Sequence, residues 1–215
     1  MDISFLQFLL GIMFLTVIFL HLAKKNFTAA VAYGIQSLMI CLVFLNSFFE
    51  TGNIYTYIVV LLNLVVKVIL APLFFIRLIK KHALSFSVNT YLNTPFTLIF
   101  IAVLTSIAHS QKFLPLTGIV PTHQALLSIA LSSIFLSLFL IINRKGAISQ
   151  ILGILSLENS IVAFIVFAGL EQAPGLQIGV IFNIFVWIII ATIFASMVYK
   201  HFGSHDVTSM KNLTD

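Results

Sequence analysis

Seven stretches of this chain run nearly without charge, at 3–22, 27–49, 54–79, 95–110, 123–142, 147–170 and 176–199. A transmembrane helix needs about 20 consecutive apolar residues, so each stretch is long enough, or close to it, to cross a bilayer. A soluble fold would have to bury all seven on every side. It would then face water with only 11 Lys and Arg and 6 Asp and Glu, 8% of the 215 residues. That charge supply excludes a soluble globular enzyme and a disordered chain. Membrane β-barrel strands alternate apolar and polar residues over about 10 positions, whereas these runs are continuous. The fold class is therefore all-α, a polytopic membrane protein with about seven transmembrane helices.

Breakers separate the spans. Thr51-Gly52-Asn53 and Ala173-Pro174-Gly175 read as turns, Asn93-Thr94-Pro95 as a helix start, and Pro115 to Pro121 as a loop. Asp2 with no basic segment ahead of the first run predicts a retained span rather than a cleaved signal peptide. A single cysteine, Cys41, excludes an internal disulfide, a cysteine-based zinc site and an iron–sulfur cluster, and reads as a buried small hydrophobe. No cofactor is expected.

The net charge of +5 acquires a meaning once the cations are placed. Lys24 and Lys25, then Arg77, Lys80 and Lys81, then Arg144 and Lys145, and finally Lys200 and Lys211 fall at alternate connections. The other side holds Lys112 together with Asp2, Glu50 and Glu171. The positive-inside rule places the N-terminus outside and the C-terminus in the cytoplasm. Cations scattered as pairs at helix ends do not form a nucleic-acid surface. The expected surroundings are lipid bilayer, with no nucleic acid.

Two ionisable residues lie within spans. Lys67 sits near the middle of the third and Glu158 near the middle of the sixth. At 1.5 Å per residue, Glu158 lies about 17 Å along its helix. A charge at that depth costs at least about 2.5–3.5 kcal/mol, so such residues face protein or water and mark ion pathways by default. Asn63 precedes Lys67 by four residues, on the same helical face. Pro72 lacks the N–H that would bond the carbonyl of Val68, which predicts a kink with a freed acceptor. Asn159 adjoins Glu158, and Asn183 in the seventh span is a further polar candidate nearer the outside. A Lys and a Glu in low dielectric can hold each other charged or exchange a proton. The sequence thus assigns a proton relay to Glu158 and Lys67, with Asn63, Asn159 and Asn183 in support. A pair that only fixes helix packing is the competing assignment.

The six histidines read as interfacial. His21, His82, His201 and His205 fall near one face, His109 and His123 near the other, and no span carries the two central ligands a b-type haem needs. A faint echo links the second and sixth spans: Gly34-Ile35-Gln36-Ser37-Leu38 and Gly153-Ile154-Leu155-Ser156-Leu157. With Asn63 and Asn183 in matching places, this suggests a parallel duplication of three-span units joined by the fourth span.

The stretch Asn143-Arg144-Lys145, Gln150-Ile151-Leu152-Gly153, Leu157-Glu158-Asn159, Ile178-Gly179, Asn183, His205-Asp206-Val207 and Asn212-Leu213, with Lys67-Val68-Ile69-Leu70-Ala71-Pro72-Leu73 upstream, resembles the membrane component E of hydrogenase-4. From about residue 123 the chain also resembles the three-span K subunit of complex I and of Mrp-type antiporters. The resemblance implies a four-span region over 1–122, a K-like region over 123–200 and a cytoplasmic tail over 201–215. It implies a non-catalytic subunit of a redox-driven, complex-I-like assembly in the inner (plasma) membrane. Its partners would be antiporter-like membrane subunits and a soluble redox arm of hydrogenase type, and it would move protons or Na⁺. Glu158 is the natural counterpart of the K subunit's carboxylates, but it is displaced by about one turn, and the second carboxylate has no match in span seven. An independent seven-span transporter and a structural scaffold are the alternatives. Short loops and few polar residues along the spans favour a subunit over a transporter with its own alternating-access route.

Overall fold

The computed structural model describes residues 3–81 and 89–169, together with eight positions of the last span (179, 182, 185, 186, 189, 192, 193 and 196), all helical. The protein is an all-α polytopic membrane protein. Among the described residues, five helices are long and apolar enough to cross a membrane. The number is six if the bent pair Thr94–Ala108 and Gln111–Thr117 is one span.

Helix α1 (Ile3–Leu22) passes through a short link into α2 (Asn26–Thr51). Gly52 ends α2 in the left-handed region at φ 63°, its N–H bonded to the Phe48 carbonyl, a conformation that glycine adopts without Cβ strain. The third span is α3 (Ile54–Asn63), a π-helical stretch (Leu64–Leu70) and α4 (Ala71–Lys81). The sequence predicts a kink at Pro72. The structure instead widens the helix through the two turns ahead of it, where the Ala71 N–H reaches back five residues to Val66. A proline offers no N–H, and a π-turn is one way to redistribute the bonds around that gap.

Helix α5 (Thr94–Ala108) starts where the sequence places it. The Asn93 side chain accepts from the Phe96 N–H, and a proline follows in the first turn. It is only 15 residues long, and the chain then bends by 52° into short helices that include α6 (Leu114–Thr117). Helices α7 (Gln124–Asn143) and α8 (Ala147–Phe167) form the second long hairpin.

The core is two hairpins laid side by side. Helix α1 packs on α7, α2 packs on α8, α5 covers α7, and the third span lies on α2. Close approach depends on the two glycines of the sequence echo. A Cβ on Gly153 would stand 2.9 Å from Ile141 Cγ1, and one on Gly34 3.1 Å from Pro72 Cγ. Small residues at such crossings let helices pack without a hydrophobic driving force between them.

At the end of the bundle that carries Lys24 and Arg144, the segment 89–93 folds against the α7–α8 turn. Tyr91 N–H donates to the Asn143 carbonyl and Lys145 N–H to the Asn89 carbonyl. Lys145 Nζ lies 4.9 Å from the centre of the Tyr91 ring. Arg144, one of the cations at the connections, is 2% exposed. Its guanidinium donates to the Leu20 and Ala23 carbonyls at the end of α1. A helix C-terminus leaves four such carbonyls without partners, which explains why the cation turns inward.

Candidate functional site

The π-helical stretch presents Lys67 to the interior, where it is 1% exposed. Helix α8 brings Glu158 to it, with Nζ 3.6 Å from Oε1. That is an ion-pair distance, longer than a hydrogen bond. The Lys67 ammonium also donates to Asn159 Oδ1 at 3.1 Å, and the Asn159 amide donates to Ser37 Oγ at 3.0 Å. One polar chain therefore ties the third span to α8 and α8 to α2. Both ionisable residues that the sequence places at mid-depth meet at this point.

The surroundings are more polar than the sequence reading supposed. Ser137 of α7 shares hydrogen bonds with Ser156 at 3.0 Å and Ser160 at 3.3 Å of α8. Gln36 Nε2 lies 3.4 Å from the Ser156 carbonyl. All five of Gln36, Ser137, Ser156, Asn159 and Ser160 are fully buried. Three acceptors of this cluster, Glu158 Oε1, Gln36 Oε1 and the Tyr33 hydroxyl oxygen, are buried with no hydrogen-bond partner among the described residues. Buried polar atoms in native proteins are paired with protein or ordered water, and a site with several such atoms offers water the two to four partners it needs. The Glu158 side chain as a whole retains 16% exposure against 1% for Lys67.

The supporting residues divide. Asn159 joins the pair directly. Asn63, expected to face Lys67, donates its amide to the Val59 carbonyl one turn back at 3.1 Å. The i, i+4 spacing that suggested a shared face assumes 3.6 residues per turn, and the π-stretch begins immediately after Asn63. Pro72 packs against Gly34 of α2. Asn183 lies outside the described residues.

His21, in the last turn of α1, is 5% exposed, with Nε2 2.9 Å from the Leu136 carbonyl and its ring stacked on Phe139. His123 Nδ1 lies 3.2 Å from the Phe167 carbonyl, and His109 Nδ1 3.3 Å from Ser132 Oγ. Cys41 is buried, its Sγ 3.6 Å from the Val60 carbonyl.

Sequence reasoning missed the serine cluster, Gln36 and Tyr33. A signal was present: Ser128, Ser132, Ser133 and Ser137 recur at about one-turn spacing on α7, and Ser156, Asn159 and Ser160 on α8, the spacing of residues that share a helical face.

The chain matches no protein-family model, no curated protein and no solved structure.

Proposed function

We propose that this chain is a non-catalytic membrane subunit that handles protons, or Na⁺, for a redox-driven assembly of the complex-I-like, hydrogenase-4 type. The observation that carries the proposal is the Lys67–Glu158 pair at 3.6 Å between two spans, beside buried acceptors that call for water. Placing a charge at mid-bilayer is costly, and residues that bear the cost usually serve ion or proton movement. The arrangement supports a proton step between carboxylate and ammonium, with Asn159 holding the ammonium in place. The sequence resemblance to component E and to the K subunit supports the choice of assembly, and antiporter-like subunits with a soluble redox arm are the partners it implies.

Two experiments bear on this reading. Solubilised in mild detergent from its native membrane, the chain should co-purify with larger membrane subunits and an oxidoreductase activity. Isolation as a monomer that transports on its own would contradict the proposal and favour an independent transporter. Orientation is the second. The cation asymmetry places the N-terminus outside and residues 203–215 in the cytoplasm. Cysteines introduced at the two ends should react with an impermeant thiol reagent from opposite sides of the membrane. Labelling of both from one side would contradict an odd number of spans.

A further inference from the structure

A second polar site lies at the end of the bundle that carries Lys24 and Arg144, and the proton pair does not use it. Where α1 ends, a cavity of about 210 Å³ opens between that end, the segment before α5 and the α7–α8 turn. Its lining includes His21, Lys24, Thr90, Thr94 and Arg144. Among the described residues two cations contribute to it and no carboxylate does.

Three of these residues describe what the cavity would hold. The Arg144 guanidinium is buried and spends two N–H groups on the carbonyls at the end of α1, which leaves part of its five-donor fork unused. Burial holds it down at about 10, still protonated at neutral pH. Lys24 is exposed at the rim. His21 is 5% exposed and lines the cavity. Its Nε2–H donates to the Leu136 carbonyl, so Nδ1 of the neutral ring, without a partner among the described residues, is an acceptor suited to a headgroup hydroxyl and not to a phosphate oxygen. Cationic donors with no counter-charge form a receptor for an anion with several acceptor oxygens.

The neighbouring surface says which anion. An apolar groove of about 600 Å³ runs along α1 and α2, with Leu15, Phe19, Val31 and Ile35 in its lining, and Leu22 lines both the groove and the polar cavity. A polar cavity at a helix end and an apolar groove down the same helix, with Leu22 common to both linings, suit the two parts of a phospholipid. Basic pockets between transmembrane helices bind anionic headgroups.

We propose that this end of the bundle binds an anionic phospholipid, with its phosphate held by Arg144, Lys24 and Thr94 and an acyl chain in the α1–α2 groove. The site is independent of the proton-handling proposal, since it shares no residue with the Lys67–Glu158 cluster.

The test is lipid retention by the full chain, purified with the membrane partners it keeps, measured by native mass spectrometry after titration with phosphatidylglycerol or phosphatidylcholine. Phosphatidylglycerol should be retained about tenfold better, the scale of a hydrogen-bonded charge contact. The Lys24→Gln/Thr94→Val variant should lose that preference and keep its phosphatidylcholine retention. Arg144 is left in place because it also closes α1. Val31→Trp, which fills the groove from an exposed position, should lower retention of phosphatidylglycerol. Inorganic phosphate at millimolar concentration should fail to displace the lipid. Equal retention of the two lipids, an unchanged preference in the Lys24→Gln/Thr94→Val variant, or full displacement by inorganic phosphate would each overturn the proposal.

Discussion

Replacement of Lys67 by methionine should cost this protein much of its stability in the membrane. Methionine fills similar volume but offers no donor. Asn159 Oδ1 then loses the ammonium 3.1 Å away, and Glu158 Oε1, which already lacks a hydrogen-bond partner among the described residues, loses its only cation within ion-pair range there. Removing one member of a buried pair costs about 3–5 kcal/mol, because the remaining charge stays desolvated. The 16% exposure of Glu158 puts the expectation at the lower end, about 3 kcal/mol. The measurement is the amount of chain retained in the membrane and its melting temperature in mild detergent. A Lys67→Met protein with wild-type abundance and melting temperature would show that the pair contributes nothing to stability.

Glu158→Gln should behave differently. The amide matches the carboxylate in shape, and its carbonyl oxygen can still accept from Lys67, whose hydrogen bond to Asn159 is untouched. The Lys67 ammonium nevertheless loses its counter-charge, so some loss of stability is expected here too, and translocation is read against the amount of assembled complex. What disappears is the titratable group. If a proton passes through this carboxylate, translocation in membrane vesicles should fall by about 10²-fold, the scale of a single positioned proton-transfer group. Glu171→Gln, at a position the sequence places between the sixth and seventh apolar runs, should have little effect. Normal pumping by a well-assembled Glu158→Gln protein would leave only a packing role for the residue.

The fold was largely legible because bilayer thickness imposes a length on every span. The helix start at Asn93 was readable for a local reason, since an asparagine cap followed by proline has one structural meaning. The meeting of Lys67 and Glu158 was legible only as a cost: the sequence says that two charges need company, and not which spans are neighbours. The π-stretch was invisible, because periodicity arguments assume a uniform helix. Asn63, at its start, bonds the Val59 carbonyl of its own helix. The inward turn of Arg144 was not legible either: counting cations by connection gives their side and not their contacts, and this one closes the end of α1. The serines of α7 and α8 were hidden by their small size among apolar neighbours, although their spacing placed them on common faces.

The central claim is that the Lys67–Glu158 pair moves charge and does more than pack helices. The double replacement Lys67→Met/Glu158→Gln tests it most directly. Neutralising both members removes the stranded charge that destabilises Lys67→Met, and exchanging a buried pair for neutral groups of similar volume is often neutral or stabilising. Abundance and melting temperature should therefore return toward wild type. Proton translocation, measured in vesicles against the abundance of assembled complex, should stay as low as in Glu158→Gln alone. Recovery of translocation together with stability would contradict the account and leave the pair as a structural lock.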